Sequence, residues 1–101
     1  MISKTVKFPH PGEILEKEFL KPMGITQYRL AKTAGISHST LTMLIQGKRG
    51  ITVENAIRIG KALGTGPEFW INLQRTYDLR SILRVQKDSF DSIKCLVAEG
   101  V

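Results

Sequence analysis

The chain carries one cysteine, Cys95, and two histidines, His10 and His38, so a single copy can assemble neither an internal disulfide nor a Cys/His zinc cage. Its longest unbroken apolar run, Cys95-Leu96-Val97-Ala98, has four residues, whereas a bilayer-spanning helix takes about 20. Lys4, Lys7 and Pro9 fall where a secretory signal would hold its apolar stretch, which predicts a cytosolic protein. The sequence has no period-two alternation of apolar and polar residues, no internal repeat and no low-complexity run. No nucleophile stands beside a base and an orienting partner, no glycine-rich loop follows a strand, and Glu16 and Glu18 would point away from each other on a helix. An enzyme is therefore not expected, nor a cofactor or a metal.

Acid is missing where base is not. From Phe19 to Val53 there is no Asp or Glu, yet Lys21, Arg29, Lys32, Lys48 and Arg49 all lie there. The whole chain holds 15 Lys+Arg against 9 Asp+Glu, a net +6. Residues 1–50 contribute 8 basic and 3 acidic side chains, and residues 51–101 contribute 7 and 6, so the excess sits in the first half. Such a balance favours a polyanionic partner, because carboxylates facing phosphates would repel them.

At 101 residues, 42% of them hydrophobic, the chain suits one domain around one core. Breakers at Pro22-Met23-Gly24, Ala34-Gly35, Gly47 to Gly50 and Gly64-Thr65-Gly66-Pro67 separate segments of helical length. A first amphipathic helix spans residues 11–21, with Pro11 at its start and Ile14, Leu15 and Phe19 inward. Thr26 caps a short helix containing Leu30 and Ala31 that Gly35 ends, and Ser37 caps another carrying Leu41, Leu44 and Ile45 that Gly47 ends. Thr52 opens a fourth, inward at Ala56, Ile57, Ile59 and Leu63. Thr65-Gly66-Pro67-Glu68 has the form of a capping box for a long helix over residues 67–86. Phe90, Ile93, Leu96 and Val97 add an amphipathic tail. The fold class is all-α.

Two short helices about a tight turn, residues 26–47, let the second enter a DNA major groove while the first lies across the backbone. With Leu41, Leu44 and Ile45 inward, helical phase turns Ser39, Met43 and Gln46 outward, flanked by Thr40 and Thr42. That face is small, polar and uncharged. It can approach base edges with hydroxyls, an amide and a thioether suited to a thymine methyl.

The segment Gln27-Tyr-Arg-Leu-Ala-Lys-Thr-Ala-Gly-Ile-Ser37, continued by Leu41, Leu44 and Gly47-Lys48, resembles the helix-turn-helix of phage-repressor-like (Xre/Cro) regulators. His10-Pro-Gly-Glu13, Gly47-Lys-Arg-Gly-Ile-Thr52, Leu63-Gly64, Pro67-Glu-Phe-Trp70 and Leu73-Gln-x-x-Tyr-Asp-Leu79 are together similar to the HigA (VapI-like) antitoxins, over residues 8 to 80. The resemblance implies a five-helix domain with a long C-terminal helix and a short helical tail. It also implies a dimer that represses its own operon on double-stranded operator DNA and silences a HigB-type mRNA-cleaving ribonuclease toxin. Carried over by position, Gln27 anchors a phosphate, His38, Ser39 and Met43 face bases, and Lys48, with Gln46 and Arg49, contacts phosphates after the recognition helix. Thr42 joins the base-reading set and Thr40 the phosphate set. Gly66, where serine is frequent, and Gly60 inside the fourth helix depart from the pattern.

Residues 67–99 are assigned to a homodimer contact through Trp70, Leu73, Tyr77 and Leu83, because their apolar surplus needs cover. His10 and Glu13 are read as helix-start residues, Phe69, Trp70 and Tyr77 as core or dimer packing, and Cys95 as a small buried apolar group. Two other readings remain at this stage: a free-standing repressor without a toxin, and a protein-interaction module whose basic face binds an acidic protein.

Overall fold

A computed structural model describes residues 8–97, and among them every regular element is a helix. Helix α1 covers residues 11–23, followed by α2 (Gln27–Ala34), α3 (His38–Ile45), α4 (Val53–Leu63), α5 (Pro67–Val85) and the single-turn-and-a-half α6 (Lys87–Asp91). Five helices and a short tail are thus present, as the sequence implies. Within α1 the stretch Leu15–Leu20 winds as a π-helix, with the Lys21 N–H donating to the Glu16 carbonyl five residues back. The cause follows directly in the chain. Pro22 has no N–H, and its ring would strike the carbonyl four residues earlier in a regular α-helix, so the preceding turn widens.

The short helices begin where hydroxyls predict. Thr26, Ser37 and Thr52 each accept the backbone N–H three residues on, from Arg29, Thr40 and Asn55. Gly35, at φ 73°, ends α2 in the left-handed region and turns the chain into α3 with only Ile36 and Ser37 between. The core joins Leu15 and Leu20 of α1, Leu30 and Ala31 of α2, Leu41 and Leu44 of α3, Ala56 and Ile59 of α4, and Trp70 of α5. Phe19 and Phe69 pack on Trp70 at centroid distances of 5.1 and 4.9 Å.

Four expectations need correction. Ile57 is exposed, because Ala56, Ile59, Gly60 and Leu63 already fill the inward stripe of α4 and Ile57 sits about 100° off it. Thr65 caps nothing: its hydroxyl accepts the Trp70 indole N–H at 2.8 Å and donates to the Gly66 carbonyl. Gly66, at φ 82°, is the N-cap residue of α5, a conformation open to glycine, which accounts for its presence there. The tail is helical only through Asp91, and Cys95, Ile93, Leu96 and Val97 are exposed, since that stretch stands clear of the core.

Two glycines act by letting backbones meet. A Cβ on Gly12 would lie 1.9 Å from the Leu44 carbonyl oxygen, so the first turn of α1 rests directly on the last turn of α3. A Cβ on Gly60 would lie 2.4 Å from the Gly66 carbonyl, where the α4–α5 turn folds back on α4. Gly60 is thus a packing requirement and not merely a weak point in its helix.

His10 caps α1: its Nδ1 accepts the Gly12 N–H at 2.9 Å, and its ring meets Tyr77 edge-on at 4.9 Å. Burial pushes the imidazole below its ordinary 6.5, against the opposing pull of the Asp78 and Glu13 carboxylates. A protonated Nδ1 could not accept the capping bond.

Helix propensity alone would credit Gly60→Ala with about 1 kcal/mol of added stability. Steric overlap instead predicts that Gly60→Ala and Gly12→Ala each lose about 1–3 kcal/mol of stability, read as a lowered thermal midpoint; an unchanged or raised midpoint in either would contradict the packing. Because the folded state disfavours the proton on His10, its contribution is complete above the unfolded value of 6.5 and fades as the pH falls from there. Chemical denaturation between pH 7 and pH 5 is expected to show that loss and His10→Asn, which caps without titrating, to flatten it. Parallel slopes for the two proteins would exclude the mechanism.

Candidate nucleic-acid interface

Helix α3 buries Leu41 and Leu44 completely, and this fixes what it exposes. His38, Ser39, Met43 and Gln46 are exposed, Met43 at 40%, while Thr40 and Thr42 are half-buried at the flanks. The outward face foreseen from helical phase is therefore present, and it carries no Lys, Arg, Asp or Glu. Its start is tightly organised. The Ser37 hydroxyl accepts the Thr40 N–H and donates to the Thr40 hydroxyl at 2.8 Å, with the Ser39 hydroxyl 3.4 Å away.

Gln27, in the first turn of α2, lies beside this face. Its Oε1 accepts from the Thr42 hydroxyl at 3.4 Å, leaving the amide group as a donor, the polarity a phosphate oxygen requires. Thr42 spends its hydroxyl on that strut between α2 and α3, so it orients Gln27 and offers a groove only its methyl. Lys48 and Arg49, both exposed, follow α3 directly. Gln27 and Thr40 thus lie along α3, and Gln46, Lys48 and Arg49 follow at its C-terminal end.

Sequence reasoning missed what holds the loop after α3. The Gln74 side chain of α5 accepts the Ile51 N–H at 2.8 Å and donates to Asp78 at 2.9 Å. The His10 ring, itself against Tyr77, reaches within 3.8 Å of where a Gly47 Cβ would be. Residues 46–51 are thereby pinned between α1 and α5. The motif Leu73-Gln-x-x-Tyr-Asp-Leu79 held the signal: Gln74, Tyr77 and Asp78 are its polar members, and all three bear on this loop or on His10. Tyr28 was likewise not singled out; it is 64% exposed on α2, with its ring 6.3 Å from His38 and Lys32 over it at 6.0 Å.

The predicted dimer residues divide. Trp70 is fully buried within its own chain and offers no surface to a second copy. Leu73 and Tyr77 are half-buried, and Leu83 is exposed with Leu79, Ile82 and Val85. Among the described residues no cluster of His, Cys, Asp or Glu could hold a metal, and no helix is long and apolar enough to cross a membrane.

Comparison with known proteins agrees with this geometry. A helix-turn-helix family model matches residues 17–70, more than half of the chain. The antitoxin HigA-1 of Vibrio cholerae is 47% identical over 68 residues, covering 67% of this chain and 64% of that protein. Virulence-associated protein I of Dichelobacter nodosus is 42% identical over 71 residues, covering 70% of this chain and 66% of that one. The chain thus spans a little less than two thirds of the length of these curated relatives. A solved structure described as Pseudomonas aeruginosa antitoxin HigA with higBA promoter superposes with a TM-score of 0.84 at 34% identity, covering 90% of this chain and all of that one. The family model over more than half of the chain, the HigA-1 and virulence-associated relatives and the shared fold identify the chain as a member of the helix-turn-helix family in its HigA/VapI-like, Xre-type branch, a family of regulators and not of enzymes.

Proposed function

We propose that the protein is an antitoxin of the bacterial cytoplasm that represses its own operon as a dimer and neutralises a HigB-type mRNA-cleaving toxin. The observation that carries the DNA-binding half is the outward face of α3: His38, Ser39 and Met43 stand free of the core, with Gln27 beside Thr42 and with Lys48 and Arg49 following the helix. In this reading His38, Ser39 and Met43 meet base edges, the Thr42 methyl contributes apolar contact, and Gln27, Thr40, Gln46, Lys48 and Arg49 meet phosphates. The toxin half is supported by the likeness to HigA-1 of Vibrio cholerae.

Dimerisation is assigned to the outer half of α5. Leu79, Ile82 and Leu83 form an exposed apolar strip at i, i+3 and i+4. The radius of gyration is 17.0 Å, against about 13 Å for a globular chain of 100 residues, consistent with the exposed outer half of α5 and the exposed tail after it. A second copy packed on that strip would cover it and present two recognition helices to one face of a duplex, about 34 Å apart.

Gel shifts with DNA from upstream of the protein's own coding region test the first half. Lys48→Ala and Arg49→Ala are each expected to weaken binding to every sequence and lower the salt slope by about one, whereas Ser39→Ala and Met43→Ala change which bases are preferred. Unaltered salt dependence in both charge variants would remove the phosphate assignment. Co-expression with the small ribonuclease-like product of a neighbouring gene is expected to restore growth; a free-standing repressor would bind the same duplex and rescue nothing. In sedimentation at micromolar concentration without DNA, the wild type is expected to be dimeric and Leu83→Glu monomeric, and a monomeric wild type would refute the assignment to α5.

A further inference from the structure

The outer half of α5 has two faces. Leu79, Ile82 and Leu83 make the apolar strip, and Arg80 and Arg84, four residues apart, make a second row roughly a third of a turn around the helix. The proposed dimer contact uses the first and leaves the second unexplained.

The position of that second row is set by three contacts in succession along α5. Gln74 holds Ile51 of the loop after α3, Tyr77 meets the His10 ring, and the Arg80 guanidinium stands over the Phe8 ring at 5.3 Å. His10 in turn lies against Gly47, next to Lys48. The stretch from Phe8 to His10 therefore lines the α5 face that bears Arg80 and joins it to the loop that bears Lys48 and Arg49. The Phe8 ring is a platform that restrains the Arg80 side chain without neutralising it.

Both arginines are exposed, and the ion pairs among the described residues are Lys17–Glu13, Arg58–Glu54 and Lys87–Asp91, none of which involves them. Asp78, two residues before Arg80, stands about 160° from it around α5 and is engaged by Gln74, and Asp88, four residues after Arg84, lies in α6 and forms no ion pair with it. An unneutralised guanidinium row continuous with an unneutralised loop fits a polyanion. We infer that Arg80 and Arg84 form a second phosphate-binding row on the same duplex that α3 reads, so that α5 serves DNA on one face and the second copy on the other.

This rests on the DNA-binding reading above, and the experiment separates the two. A long mixed-sequence duplex isolates the backbone contribution, and the measurement is the slope of log affinity against log salt. The double variant Arg80→Ala/Arg84→Ala is expected to lower the slope by about two per protomer, with the sedimentation coefficient unchanged, and Arg80→Lys/Arg84→Lys is expected to restore most of it. An unchanged slope in the double variant, alongside a lowered one in Lys48→Ala, would overturn the second row and leave the α3 reading intact. A slope change accompanied by loss of the dimer would overturn it too, since the arginines would then belong to the protein contact. If the wild type fails to bind the duplex even at low salt, the DNA-binding reading itself falls. Should the double variant lose its helical circular-dichroism signal, Arg84→Gln, remote from Phe8, decides by the same slope: a drop of about one supports the row and no change overturns it.

Discussion

The first turn of α1 rests on the last turn of α3 with backbone against backbone, and the exposed face of α3 depends on that contact. Gly12 permits it, because any side chain there would occupy the space of the Leu44 carbonyl. Leu41 and Leu44 then anchor α3 in the core from within, while His10, Tyr77 and Gln74 hold the loop that follows from outside. A helix of eight residues is marginal in isolation, so its rigidity is borrowed from its neighbours. What emerges is a short rod whose outward side chains are free to be chosen for recognition, since none of them carries the fold.

Much of this was legible in the sequence. Hydroxyl residues marked the starts of α2, α3 and α4, glycine marked the end of α2, and the phase of Leu41 and Leu44 told which side of α3 faced out. The failures share a cause, which is that local pattern does not report tertiary demand. Thr65 and Glu68 have capping-box spacing, but the Trp70 indole claims the Thr65 hydroxyl. Ile57 is apolar enough for the core but has no room in it. Gly60 looks like a flaw until the fold-back of Gly66 onto it is seen. Gln74 stood in a motif, but its task was hidden because its partner Ile51 is 23 residues away.

The outer half of α5 carries exposed Leu79, Ile82 and Leu83 and also Arg80 and Arg84. An apolar strip and a basic row on one helix, fixed to the same loop through Gln74, His10 and Phe8, would let association of two copies and grip on a duplex stabilise the same arrangement. Binding energy from either source then supports the other, since both restrain α5 relative to α3.

The central claim is that DNA meets this protein on the outward side of α3 and its flanking anchors. Amide chemical shifts of isotope-labelled protein, followed by NMR as operator duplex is added, test it most directly. The account predicts the largest changes at Gln27, from His38 to Met43 and from Gln46 to Arg49, with the groove between α2 and α4 around Thr33, Ile57 and Lys61 unmoved. Changes centred on Thr33, Ile57 and Lys61, with α3 silent, would contradict it.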